Sequence, residues 1–151
     1  MISVLVTASD DGKALARLLT QLVPAAAEGL VREVAVIGGD EASRAVAEEA
    51  GASQFEAGAF GDALRRARGP WVAGLPLTAL FAPGWIEQLT SHLARGEAAA
   101  RLVRRGGFAL VSGPEGWLVP KRLAGSAVAV EQDLQRLARR GGRALRILDR
   151  P

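Results

Sequence analysis

An α/β fold with a mostly parallel central sheet is what the sequence predicts, on three observations. Residues 2–55 alternate strand, helix, strand, helix, strand, the βαβ order that implies parallel strands joined by right-handed crossovers. The strand segments are near-continuous apolar runs, as expected where both faces of a sheet are covered. Beyond Gly96 the pattern changes to short β-like runs between Gly-rich turns, then one amphipathic helix and a last strand, so a hairpin or meander is expected to complete the sheet.

The first strand is Ile2 to Thr7. Ala8-Ser9-Asp10-Asp11-Gly12 supplies a loop and a helix cap, Ala14, Leu15, Leu18, Leu19 and Leu22 recur at helical spacing, and Pro24 is expected to end that helix. Val34 to Ile37 forms a second strand, closed by Gly38-Gly39. Asp40 caps a helix with the apolar stripe Ala42, Val46, Ala47 and Ala50, and Gly51 terminates it. A short strand at 52–55 and a short helix at 62–68 follow. Arg68-Gly69-Pro70 leads into a strand from Trp71 to Leu75, and Pro83-Gly84-Trp85 opens a helix that runs to Arg95 with Ile86, Leu89 and Leu93 inward. His92, alone on that helix, reads as a surface or partly buried side chain and not as a ligand. Ala98 to Val103, Gly107 to Val111 and Trp117 to Val119 are β-like, and 120–125 is irregular or a single turn. Glu131 to Arg140 is a helix with Leu134, Leu137 and Ala138 on its apolar face, and Ala144 to Leu148 is a final strand. With no repeat, low-complexity segment or linker, residues 1–151 read as a single compact domain.

The chain is 49% hydrophobic and 23% charged, the balance of an ordinary globular protein. It has no cysteine, which excludes disulfides and thiolate metal sites and fits a cytoplasmic location. No signal-like leader precedes Ile2, and no apolar run approaches the roughly 20 residues of a membrane-spanning helix. The net charge of +3 is carried almost wholly by arginine, since Lys13 and Lys121 are the only lysines. Two clusters stand out, Arg65, Arg66 and Arg68, and Arg136, Arg139, Arg140, Arg143 and Arg146. Such clusters grip phosphates, but they also form ordinary solvated helix faces. Nucleic acid is disfavoured, because Trp71, Trp85 and Trp117 sit in apolar surroundings and do not alternate with basic residues. The sequence leaves a peripheral membrane contact and a homo-oligomer open.

The stretch from Trp71 to Trp85 is where chemistry should appear, because open α/β sheets bind ligands at the carboxyl ends of their strands. Thr78 is the only polar side chain between Trp71 and Glu87.

Ser3-Val4-Leu5-Val6-Thr7, Glu33-Val34-Ala35-Val36-Ile37-Gly38-Gly39, Ala50-Gly51-Ala52, Ala67-Arg68-Gly69-Pro70-Trp71, Ala82-Pro83-Gly84-Trp85 and Glu131-Gln132-Asp133-Leu134, in this order and spacing, resemble the family-two glycosyltransferases. The resemblance implies the GT-A fold, a Rossmann-like three-layer sandwich that binds nucleotide-diphospho-sugars. It implies that Thr7, Ala8, Asp10, Gly38, Asp40 and Thr78 line a nucleotide or nucleotide sugar, with Asp40 two residues beyond the position of the family's base- or ribose-binding Asp, here Gly38. It places Pro76-Leu77-Thr78 where the family carries the Asp-x-Asp that holds a divalent metal. Proline and threonine supply no charge, so no metal ligand or other cofactor is expected, and Arg or Lys would have to neutralise a leaving diphosphate. Glu131 falls where the family has its catalytic base, one methylene longer than the usual Asp; as a first-turn residue it also suits the helix dipole. Two readings follow: a glycosyltransferase-like protein whose transfer is lost or independent of metal, or a pseudoenzyme that keeps the fold for nucleotide binding or as a scaffold. A dinucleotide enzyme fits less well, since Ala8 to Gly12 lacks the Gly-x-Gly-x-x-Gly spacing.

Overall fold

The computed structural model describes residues 1–96, 98–105, 116–124, 131–141 and 143–149. Its elements in chain order are β1 (Ile2–Ala8), α1 (Gly12–Ala27), β2 (Val31–Gly38), α2 (Glu41–Glu49), β3 (Ser53–Phe55), α3 (Phe60–Arg66), β4 (Trp71–Gly74), α4 (Trp85–Ala94), β5 (Ala100–Arg104), β6 (Gly116–Pro120), α5 (Lys121–Ala124), α6 (Glu131–Arg140) and β7 (Arg143–Leu148). The strands form one sheet in the order β3-β2-β1-β4-β6-β5-β7. Strands β1, β2, β3 and β4 are mutually parallel, β6 runs antiparallel to both β4 and β5, and β7 is parallel to β5. The mostly parallel α/β sheet of the sequence reading is therefore present, with β6 as its reversed strand.

Strand alternation divides the interior into two cores. Val4, Val6, Val36, Ala73 and Leu118 face one side, where they meet Leu15, Leu18 and Leu22 of α1 and Leu89 of α4. Leu5, Ala35, Ile37, Val72, Trp117 and Val119 face the other, against Ala63 and Leu64 of α3 and Leu134 and Ala138 of α6. Covering both faces is what makes the strands read as unbroken apolar runs. Each fully buried leucine, such as Leu15 or Leu18, contributes about 1.5 to 3 kcal/mol of apolar burial.

Local details depart from the sequence reading at several points. Helix α1 runs through Pro24 to Ala27, and the Glu28 amide still donates to the Pro24 carbonyl (3.0 Å). Pro24 lies on the exposed side near the end of α1, while Leu22 and Ala25 are buried in the core on either side of it. In α2 the buried residues are Ser43 and Ala47; Ala42 and Ala50 are exposed. Ser43 is inward because its hydroxyl donates to the Ser9 carbonyl (3.0 Å), so a polar side chain holds a place that periodicity gives to an apolar one. His92 is fully buried, edge-on to Trp71 at 5.8 Å, with Nε2 3.2 Å from the Ala98 carbonyl. The run Gly107 to Val111 lies outside the described residues.

A polar latch ties the α3–β4 turn to the sheet. Ser3, 1% exposed, donates to Glu33 Oε1 (2.6 Å) and accepts from the Gly69 amide (2.8 Å). Glu33 also accepts from the Arg68 amide (2.5 Å) and from Arg68 Nε (2.7 Å). Burial raises the Glu33 pKa, but the bonds from Ser3 and Arg68 outweigh it and hold the carboxyl below its ordinary range. A carboxyl whose folded-state pKa is lowered stabilises the fold above its unfolded value and loses that contribution as pH falls through the folded value. Glu33→Gln is expected to cost about 1 to 2 kcal/mol at neutral pH, a figure discounted for the exposed Arg68 guanidinium. Denaturant titrations at several pH values check this: the gap between the two proteins should be full above the ordinary value of 4.5 and close on further acidification. A gap unchanged by pH would mean that charge is not what Glu33 contributes.

Candidate functional site

The parallel register fixes which loops share the carboxyl edge of the sheet. Ala8 ends β1 opposite Gly38 at the end of β2, and Leu5 pairs with Gly74 at the end of β4. The loops after β1, β2 and β4 therefore open at one edge, where the sequence expected a ligand.

The first two loops are tied to each other and to the helices they start. Asp11 Oδ1 accepts from the Ala14 amide (2.9 Å) and caps α1, while Asp40 Oδ1 accepts from the Ser43 amide (2.9 Å) and caps α2. The hydrogen bond from the Ser43 amide holds the Asp40 carboxyl below its ordinary range. Gly39 lies at φ +93°, and a Cβ there would stand 2.8 Å from Ser43 Cβ, so the turn that delivers Asp40 to its cap accepts only glycine. Asp40 is thus a capping residue at the site's rim. Asp10 is exposed in the neighbouring loop.

Glu131 joins this edge from a distance in sequence. Its Oε2 accepts from the Thr7 hydroxyl (3.3 Å) and its Oε1 from the Trp117 indole N–H (3.4 Å). Glu131 is the first residue of α6, so the helix dipole favours its charge as well. Trp117 is 1% exposed and lies flat over Gly74: a Cβ on Gly74 would fall 2.1 Å from indole Cε2 and 2.2 Å from Nε1. The bare backbone at the end of β4 is what admits the indole, and the indole in turn holds the carboxylate. Sequence reading missed Trp117 because the contact depends on the register Gly74↔Trp117, which no local pattern encodes.

The loop after β4 is pinned along its length. The Ala79 amide donates to the Pro76 carbonyl (2.9 Å), closing a turn across Leu77 and Thr78. Gln21 of α1 donates from Nε2 to the Ala79 carbonyl (3.1 Å) and accepts at Oε1 from the Phe81 amide (2.9 Å). The Ala82 amide donates to Ile147 (2.8 Å) and the Asp149 amide to Leu80 (2.7 Å), so β7 holds the far side. Leu77 packs on the core and Thr78 is exposed. Gln21 also escaped the sequence reading, since a glutamine on a helix face carries no signal of a loop far along the chain.

The sequence-selected residues Thr7, Ala8, Gly38, Asp40 and Glu131 thus meet at one edge with Asp10, and Thr78 lies on the adjoining loop. Pro76 offers no ligand atom and Thr78 one neutral hydroxyl. Among the described residues no group of three or more His, Cys, Asp or Glu is placed to hold a metal ion. A divalent cation with its demand for hard, charged oxygen does not fit this donor set. The arginine clusters do not replace it. Arg65, Arg66 and Arg68 precede β4, and Arg139, Arg140 and Arg143 bracket the start of β7, so both groups lie at the amino edge, across the sheet from Glu131. Among the described residues, the carboxyl edge holds Arg104 and Arg105 at the end of β5, and Lys13 and Arg44 in the first turns of α1 and α2.

No protein-family model matches the chain, and no curated protein matches it in sequence. Solved structures do match in fold. Glucosyl-3-phosphoglycerate synthase from Mycobacterium tuberculosis, in complex with Mn2+, uridine diphosphate and phosphoglyceric acid, superposes with a TM-score of 0.64 at 18% identity over 83% of this chain and 57% of that one. The same enzyme with Mn2+, UDP-glucose and phosphoglyceric acid gives 0.67 at 18% identity, over 95% of this chain and 68% of that one. A further mycobacterial protein gives 0.62 at 20% identity, over 83% and 55%. The architecture is therefore the GT-A fold, and the chain spans little more than half the length of the first of these structures.

Proposed function

We propose that this chain is a family-two glycosyltransferase-like protein from which metal-dependent sugar transfer has been lost, and which binds a nucleotide or nucleotide sugar at the carboxyl edge of its sheet. The observation that carries the reading is the loop after β4: Pro76, Leu77 and Thr78 occupy the end of the central strand in a pinned turn and bring no carboxylate to it. The fold, the capped loops at Asp11 and Asp40, and the tethered Glu131 persist around that gap. Glu131 is the group on which any remaining transfer rests, as a general base that takes the proton of an acceptor hydroxyl. Its two long hydrogen bonds hold the carboxylate toward the end of β1, a placement that helix capping alone does not require. The absence of cysteine agrees with work in the cytoplasm.

Calorimetry with uridine and guanosine diphosphate, with and without manganese, alongside turnover of their sugar conjugates, tests this. One of the nucleotides is expected to bind with an affinity that manganese leaves unchanged, and manganese is expected to stimulate no turnover. Manganese-stimulated transfer would overturn the proposal. Failure of every nucleotide at millimolar concentration would remove the ligand and leave a fold kept as a scaffold.

A further inference from the structure

We propose that the amino edge of the sheet, opposite the candidate site, docks on an anionic phospholipid bilayer. Ile2, Trp71 and Pro120 are level in the strand register and mark this edge, and β5 and β7 begin on the same side two residues further in, at Ala100 and Arg143. Arg65 and Arg66 close α3 there, Arg122 lies in α5, Arg139 and Arg140 close α6, and Arg143 opens β7; all six are exposed. The helix dipole accounts for cations in the last turns of α3 and α6. It does not account for Arg143, nor for the apolar side chains Met1 and Leu123 at the edge. Among the described residues the exposed large hydrophobics are Met1 (55% exposed), Val23 (61%) and Leu123 (38%). Met1 precedes β1 and Leu123 follows Arg122 at this edge, while Val23 lies toward it in the second half of α1, on the face of the sheet opposite α3 and α6.

The acidic residues cancel only part of this field. Asp62 is paired with Arg65, and the exposed Glu28, Glu48 and Glu49 share the amino edge at its β2–β3 end, away from α5, α6 and β7. Neither α5, nor α6 beyond Asp133, nor β7 carries an acid. Guanidinium groups take phosphate oxygens in pairs, and aliphatic side chains beside them enter the boundary between headgroup and acyl chain. A second copy of the chain is the poorer occupant, because a two-fold contact through this edge would set its exposed arginines against their own kind. Single-stranded nucleic acid is poorer too, since Trp117 is buried, Trp71 and Trp85 are half-buried, and none offers a stacking face among the arginines.

Flotation with vesicles of phosphatidylcholine alone, and of phosphatidylcholine with phosphatidylglycerol, tests the proposal on the full chain. Partition into the anionic vesicles only, falling as salt is raised, is expected. Arg139→Gln with Arg140→Gln should weaken it about 30-fold, at about 1 kcal/mol per arginine and 1.4 kcal/mol per tenfold. Val23→Asp with Leu123→Asp should weaken it as well, with melting temperature and nucleotide binding unchanged. If the first variant melts early, Arg122→Gln with Arg143→Gln carries the same expectation. No partition at low salt, or equal partition of wild type and both variant pairs, would overturn the proposal. So would inorganic polyphosphate binding as tightly as the vesicles with no effect of the Val23 and Leu123 changes, which would identify a general polyanion surface.

Discussion

Replacing Gly74 by alanine is expected to lower the melting temperature by about 6 to 12 °C, the equivalent of about 3 kcal/mol in a chain of this size. The new Cβ would lie 2.1 to 2.4 Å from three atoms of the Trp117 indole, well inside any real contact distance. The indole has nowhere to go: it is 1% exposed, packs edge-on to Phe60 at 6.2 Å, and sits among Leu134, Val119 and Ala63 on the α3 and α6 side of the sheet. Either it rotates and breaks its bond to Glu131, or β4 shifts away from β6 and the ladder between them weakens. A double-mutant cycle separates this clash from a general intolerance of side chains at the strand end. In a Trp117→Leu background the added methyl meets a smaller, more adaptable group, so the two costs should be less than additive by about 1 to 2 kcal/mol. The same loss in both backgrounds would show that the indole is not what requires glycine at 74.

That dependence of Glu131 on Gly74 through Trp117 marks the limit of what the chain discloses without its fold. The strands, the two capped loops and the α6 boundaries from Glu131 to Arg140 follow from apolar runs, Asp caps and helical spacing, all of which act within a few residues. The carboxyl edge follows too, because parallel β1, β2 and β4 must present their loops together. The clamps that shape the site were illegible for a common reason. Gln21 holds a loop 58 and 60 residues away, Trp117 covers a glycine on the neighbouring strand, and Ser43 turns inward toward a carbonyl 34 residues back. Each is decided by register and approach, so each defeats a reading that assigns glutamine and serine to the surface and tryptophan to an anonymous core. His92 is the same case, a buried polar ring where helical position alone suggested partial exposure. The interest of Pro76 and Thr78 comes from the resemblance alone; the structure adds that their loop is pinned by Gln21 and by β7.

Introducing metal ligands on this loop is accordingly the change with the largest expected gain. Pro76→Asp with Thr78→Asp should convert the chain to a manganese-dependent nucleotide binder. The turn from Pro76 to Ala79 tolerates the exchange, since aspartate is favoured at the first position of such a turn and the hydrogen bond uses only the residue 76 carbonyl and the Ala79 amide. Leu77 keeps its place in the core, so the two carboxylates replace one ring and one exposed side chain. Two aspartates one residue apart, on a loop at the same sheet edge as Asp10 and Glu131, create like-charge repulsion in the absence of a cation. The doubly substituted protein should therefore melt below the wild type in chelator. With manganese and uridine diphosphate together at about 100 times the dissociation constant, binding adds about 2.7 kcal/mol, a rise of about 5 to 11 °C that the wild type does not show. The contrast between the two proteins decides the alignment of the loop with a donor-metal motif, independently of whether either transfers sugar. If the variant's melting temperature ignores manganese with and without nucleotide, residues 76 and 78 are not at the diphosphate position, and the reading of the loop as a vacated metal site fails with them.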